Sequence, residues 1–293
     1  MIEDNIKLGI KYMLFASFTF ALMGGFAKLL SDSMSSVEVV FFRNFTGVLL
    51  ILFSIYKSPL NQVGGKAWLL IFRGLAGFTA LLMYFYNIAE ISLAEAQTFS
   101  KTAPIFTAIF AYLFIKEKLS PIAWLGVFVG FIGITFITGF DPSNVSKTDW
   151  LGILCGVGAG LAYTSIRELR KYYDNRAIVL SFMGIGSIGP VILMIIAEYY
   201  TSTTFDFIIA PFVMPEGISW LYIIGLGVTA TVSQLYMTKA YSLAKGGIIG
   251  TISYANIIFS IPVGMVLGDM FPSQGLIIGI ILIVISGVLV AKK

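Results

Sequence analysis

Lys101 stands in an apolar run, AEAQTFSKTAPIF at 94–106, with Gln97 one helical turn before it and Pro104 one turn after it. Residues three or four apart share a helix face, so these three point the same way if the run is helical. An ammonium deep in a spanning helix costs about 2.5–3.5 kcal/mol on insertion scales unless a cavity, a partner or a ligand meets it. Two kinds of chemistry fit. Lys101 binds the carboxylate or phosphate of a ligand, or it gains and loses a proton as the protein works. The structural alternatives are a permanent pair with Glu90 or Glu95, or snorkelling to the surface. Arg43, within VVFFRNFTG at 39–47, is a second deep cation. Its planar fork matches a carboxylate, but it serves equally to tie helices through backbone carbonyls or Glu38. If both cations face one cavity, an anionic or zwitterionic solute is favoured over a cationic one.

Other candidates are polar rather than basic. Tyr86 and Tyr236 each offer a ring face and a hydroxyl, while Gln234, Tyr254 and Asn256 add hydrogen-bonding capacity in the second half. Glu90 and Glu95 flank an acidic turn, as proton-coupling groups or as solvated loop acids. There is no histidine, which removes imidazole shuttling and histidine metal sites, and the single Cys155 allows no internal disulfide. GVGAG at 156–160 lies inside an apolar segment with no Lys-Ser/Thr after it, so it is a packing stripe and not a phosphate loop. No metal or cofactor is expected. Nucleic acid is not expected either, because the basic residues fall in short loops rather than along one stripe.

What must position these residues is helix in lipid. The 293 residues are 58% hydrophobic and 12% charged, with a mean hydropathy of +0.92, whereas soluble proteins carry about 25% charged residues. A spanning helix needs about 20 mostly apolar residues. Ten such runs lie at 9–30, 36–56, 67–89, 93–115, 121–139, 149–170, 177–199, 218–240, 246–267 and 273–291. No period-2 alternation suggests a barrel, so the expected fold is an all-α integral membrane protein. The start, MIEDNIK, carries two acids and no cleavage pattern follows, which makes the first run a retained helix. Only the connection at 201–216 is long, and its FDFIIAPFVMP core reads as interfacial.

The chain also repeats. GFTALLMYFYNIAEISLAEA at 77–96 and GVTATVSQLYMTKAYSLAKG at 227–246 agree at seven positions, including Tyr86 with Tyr236. The repeats fall at 1–140 and 149–293, five helices each, and an odd number of spans inverts the second copy relative to the first. With the N-terminus inside, fifteen of the nineteen Lys and Arg fall on the inner side, among them Arg73, Lys171, Arg170, Lys245, Lys292 and Lys293; two, Lys28 and Lys147, fall outside. That bias places both termini in the cytoplasm. A GxxxG occurs in each copy, Gly126/Gly130 and Gly275/Gly279; it serves close packing within the chain or a weak homodimer, the alternative to a monomer.

The run at 92–134, SLAEAQTFSKTAPIFTAIFAYLFIKEKLSPIAWLGVFVGFIGI, resembles the drug/metabolite transporter superfamily, and its EamA-type members in particular. The matching positions are Ala94, Ala96, Pro104, Glu117, Gly126 and Gly133. In the second copy Thr251 stands where Lys101 would recur, Tyr254 where Pro104 would, and Asp269 near the place of Glu117. The resemblance implies a ten-helix carrier of a small solute, multi-pass in a bacterial cytoplasmic membrane, with a cavity between its halves and no nucleotide hydrolysis; a proton is the candidate coupling ion. The alternative is an integral-membrane enzyme acting on a lipid. The orientation is testable: Lys147→Cys should react with an impermeant thiol reagent from outside and Lys171→Cys from inside, and the reverse pattern would overturn the helix count.

Overall fold

Small polar residues set where several helices begin. Ser35 accepts from the Glu38 amide (3.3 Å) while its own amide donates to Glu38 Oε2 (2.9 Å), a reciprocal cap that opens α2 (Ser36–Lys57). Ser92 caps α4 (Leu93–Ser100), Ser120 caps α6 (Pro121–Ile137) and Asp174 caps α8 (Asn175–Ala197). Pro121 fills the first position of its helix, where no amide is needed. The remaining helices are α1 (Ile6–Ser31), α3 (Ala67–Glu90), α5 (Ala103–Ile115), α7 (Lys147–Leu169), α9 (Ser219–Leu243), α10 (Gly246–Ile252), α11 (Ala255–Val266) and α12 (Gln274–Ala291). The structure is a computed structural model and describes residues 6–116, 118–139, 145–169, 171–200, 202–243 and 246–291. Residues 1–5, Glu117, Arg170, Lys245, Lys292 and Lys293, invoked above, lie outside the described residues. Among those described, all regular structure is helical.

Eight helical runs have the length and apolarity to cross a bilayer. The other two expected spans differ. α6 has 17 residues, about 26 Å at 1.5 Å per residue. The run at 93–115 is broken into α4 and α5 at Lys101 and Thr102. Pro104 supplies the reason, since it lacks an amide and its ring clashes with the carbonyl four residues back. A second break, at Ser253 and Tyr254, separates α10 from α11 with no proline at the site, and Pro262 sits inside α11 without ending it. Ser253, rather than Thr251, therefore holds the place in the second break that Lys101 holds in the first. Local side-chain bonds stand at both breaks: Thr102 Oγ1 donates to the Phe99 carbonyl (2.7 Å) and Ser253 Oγ to that of Gly250 (2.7 Å).

The main helix pairings each join the first part of the chain to the second: α1 lies along α9, α3 along α7, α2 against α8 and α6 against α12. Large apolar side chains such as Phe53, Phe128 and Leu221 face outward, as a lipid-facing surface requires. The two GxxxG stripes meet inside the chain. A Cβ on Gly126 would sit 2.8 Å from Leu289 Cβ, and one on Gly279 would sit 2.7 Å from Ile137 Cγ1. Both stripes are thus covered by α6–α12 packing and neither is open to a second copy.

Polar contacts collect at two ends of the bundle. At one, Lys28 donates to the Ile91 carbonyl (3.1 Å) and pairs with Asp269, whose other oxygen accepts from the Leu93 amide (2.8 Å). At the other, Glu168 accepts from Lys66 (2.8 Å) and Lys171 (2.7 Å). The hydrogen bonds from Lys171 and then Lys66 hold the Glu168 carboxyl well below the usual carboxylate range. At the Asp269 end α4 lies against α11, whereas at the Glu168 end α5 and α10 have no comparable contact among the described residues. Gly126→Leu should overpack the α6–α12 seam and destabilise the protein by about 1–3 kcal/mol, read as a lower thermal midpoint; a change of oligomeric state at constant midpoint would contradict the internal role.

Candidate functional site

The break after α4 leaves Lys101 at the helix C-cap, with its amide donating to the Gln97 carbonyl (3.0 Å). Its side chain is half-buried, and the ammonium has no hydrogen bond or ion pair among the described residues. The expected acids do not reach it. Glu90 is exposed, and Glu95 is half-buried in the first turn of α4, with its amide on Ser92 Oγ (3.3 Å). One turn before Lys101, Gln97 is buried and donates to the Tyr84 hydroxyl of α3. Tyr84 lies within electrostatic reach of Arg43 and Cys155.

Arg43 is 4% exposed. Its Nη1 donates to Asn44 Oδ1 (2.8 Å), and Asn44 Nδ2 donates in turn to the carbonyls of Val40 (2.8 Å) and Gly186 (3.2 Å). Arg43 Nε has no partner. Glu38 is not available to it, because that carboxylate is spent on Ser35 and on the Val213 amide (2.9 Å). The guanidinium lies instead 5.5 Å from the centre of the Phe182 ring on α8. Arg73 lies 4.4 Å from the same ring. Arg73, counted above on the inner side, is 5% exposed within α3, and its Nε and Nη1 have no partner among the described residues. A ring face offers a cation about 0.5–2 kcal/mol, well short of the several kcal/mol that removing it from water costs. Tyr163 of α7 lies within reach of both guanidiniums. It is 51% exposed.

The other candidates lie elsewhere. Tyr86 donates to Asp206 Oδ2 (3.2 Å) with Lys147 4.8 Å from its ring centre, a cluster at the Asp269 end. Tyr236 stacks edge-on to Tyr12 and Phe15 of α1, with centroids at 5.3 and 4.8 Å. Asn256 Nδ2 donates to the Ser17 carbonyl (3.0 Å) and ties α11 to α1. Tyr254 is buried under Gly287 of α12, and Gln234 is half-buried on α9. The structure thus ties Gln97 to Tyr84, which lies within electrostatic reach of Arg43, and sets Lys101 a turn from Gln97. Arg73, Tyr84, Tyr163 and Phe182 are additions. Arg73 had a sequence signal, since a cation six residues inside a predicted helix is not a loop residue; Tyr84 had a weaker one, two positions from the repeated Tyr86. Among the described residues no three His, Cys, Asp or Glu side chains form a group that could hold a metal.

Apolar helices broken beside unpaired interior cations define a membrane transporter of small molecules. Comparison with known proteins agrees. Residues 7–139 match the EamA-like transporter family. An uncharacterized transporter of Helicobacter pylori (strain ATCC 700392 / 26695) is 35% identical over 295 residues, covering 99% of this chain and 96% of its own. The pseudopaline exporter CntI of Pseudomonas aeruginosa (strain UCBPP-PA14) is 28% identical over 293 residues, covering 100% and 99%. A crystal structure 19% identical in sequence shares the fold, with a TM-score of 0.62 and coverage of 100% and 99%. The chain belongs to the EamA-like transporters of the drug/metabolite transporter superfamily, multi-pass proteins of the cytoplasmic membrane. Lys101→Met should leave insertion and monodispersity intact, raise the thermal midpoint by removing an unpaired cation, and abolish solute exchange; unchanged exchange kinetics would remove Lys101 from the site.

Proposed function

We propose that the chain is a secondary carrier and not an enzyme, moving a small anionic or zwitterionic metabolite by alternating access without nucleotide hydrolysis. One observation carries this reading: the interior cations Arg43, Arg73 and Lys101 have no carboxylate partner among the described residues. Lys101 also stands at a broken helix. Irregular backbone at membrane depth is tolerated where it lines a cavity, and broken helices form the sites of many carriers. Lys101, Gln97 and Arg43 are the proposed contacts, with Tyr84 behind them. Tyr86, Tyr236, Gln234, Tyr254 and Asn256 are secondary, given where they lie. Glu95, within electrostatic reach of Asp149, is the better placed of the two carboxylates proposed for proton coupling.

The helix pairings support an inverted repeat of five helices each. Exchanging the halves turns the α1–α9 contact into that of α7 with α3, and carries α2–α8 and α6–α12 onto themselves. The excess of Lys and Arg supports cytoplasmic termini, which makes the Glu168 end the inner one. The Lys28–Asp269–Leu93 contacts then close the outer side, and the separation of α5 from α10 fits a form open to the cytoplasm. The export of pseudopaline by CntI supports a small-metabolite cargo.

Counterflow in liposomes tests the reading. Exchange of amino acids, carboxylates or nucleosides should saturate and persist without ATP. No saturable exchange across the panel, together with turnover of an added lipid, would replace the carrier with an enzyme.

A further inference from the structure

We infer that Arg43 and Arg73, set against Phe182, form an anion subsite of their own that takes a compact dianionic group of the solute, either two carboxylates on a short backbone or a phosphate. The proposal deepens the carrier reading and rests on it for the word solute, but the subsite is argued from the residues alone.

The two guanidiniums belong to different helices, α2 and α3, and converge on one ring, at 5.5 and 4.4 Å from its centre. Both are at least nine-tenths buried, and three of their nitrogens, Arg43 Nε, Arg73 Nε and Arg73 Nη1, have no acceptor. They lie close enough for Arg43 to act on Arg73 as a repelling charge. An interior pair of like charges with unused donors is costly, and a group of opposite charge that visits it relieves that cost. Several bases near the ends of the bundle do have acids: Lys28 has Asp269, Lys66 has Glu168, Lys147 has Asp206 and Arg176 has Asp174.

The number of charges follows from the number of forks. A single carboxylate satisfies one guanidinium edge and leaves a net positive charge in a medium of low dielectric. A compact dianion cancels both charges and can use donors from both residues. Tyr163, within electrostatic reach of both guanidiniums, adds a hydroxyl that makes no hydrogen bond among the described residues. Lys101 stands on another element, at the C-cap of α4, while the Phe182 ring is shared by Arg43 and Arg73; it is a separate contact and not a third member of the subsite.

The test uses the purified full chain and the probes malonate, inorganic phosphate and acetate. Binding is read by intrinsic tryptophan fluorescence, and by mass spectrometry of arginine modification with phenylglyoxal. Malonate or phosphate should bind at least tenfold more tightly than acetate. On the unmutated protein the dianion should shield Arg43 and Arg73 from modification while acetate does not, a readout independent of any variant's folding. Arg73→Gln should remove the tenfold preference and Lys101→Met should keep it. Preference for malonate assigns a dicarboxylate end, and preference for phosphate assigns a phosphate-bearing one. Equal affinity for acetate, or a preference that survives Arg73→Gln, overturns the subsite. Saturable counterflow of a neutral amino acid without dianion binding sinks the subsite and leaves the carrier standing. Dianion binding without exchange of any solute in liposomes does the reverse.

Discussion

A charge inside a bilayer must be answered. Near the ends of the bundle several cations meet carboxylates: Lys28 reaches Asp269, and Lys66 and Lys171 share Glu168. In the interior the rule is suspended for Arg43, Arg73 and Lys101, which meet a ring, an amide or nothing. The surrounding structure holds these groups in place despite their cost. Asn44 fixes Arg43 by bonding both its own helix and α8, and Gln97 fixes Tyr84 between the two levels of positive charge.

The helix pairs supply the rigidity for this. α6 and α12 approach so closely that their glycines meet backbone and Cβ atoms, and α1–α9 and α3–α7 run along one another. Against these continuous pairs, α4–α5 and α10–α11 are each two shorter pieces.

Much of this was legible in the sequence, for physical reasons that can be named. Composition and run length predict membrane helices because lipid admits little else, and the expected boundaries fall within a few residues of those of α1, α2, α3 and α8. Pro104 marks the first break because a missing amide is a local property. The second break has no such mark; Tyr254 and Ser253 take it up through contacts with α12 and a local hydroxyl bond, which are tertiary facts. Lys101 is conspicuous as a cation in an apolar run. Arg73 is more deeply buried but lies nearer a helix end, where the charge count groups it with the loop bases of the inner side. Phe182 and Tyr163 carry no signal at all, since one more aromatic among many is not distinguishable until a guanidinium is seen beside it. The repeat pattern favours Tyr86 and Tyr236 because they are shared, and shared positions report the scaffold; the unpaired cations sit at positions the two copies do not share.

The interior positive charge has an electrical consequence. Moving one elementary charge through the full membrane potential is worth about 2.3 kcal/mol per 100 mV. In a cycle that exposes the arginine pair alternately to each side, an empty site changes sides carrying positive charge through part of that field. An interior-negative cell would hold it facing the cytoplasm. Filling the site with a dianion cancels the charge and frees the return step from voltage. The same unpaired cations that select a solute would thereby make the empty carrier, and not the loaded one, the species that senses the energy state of the membrane.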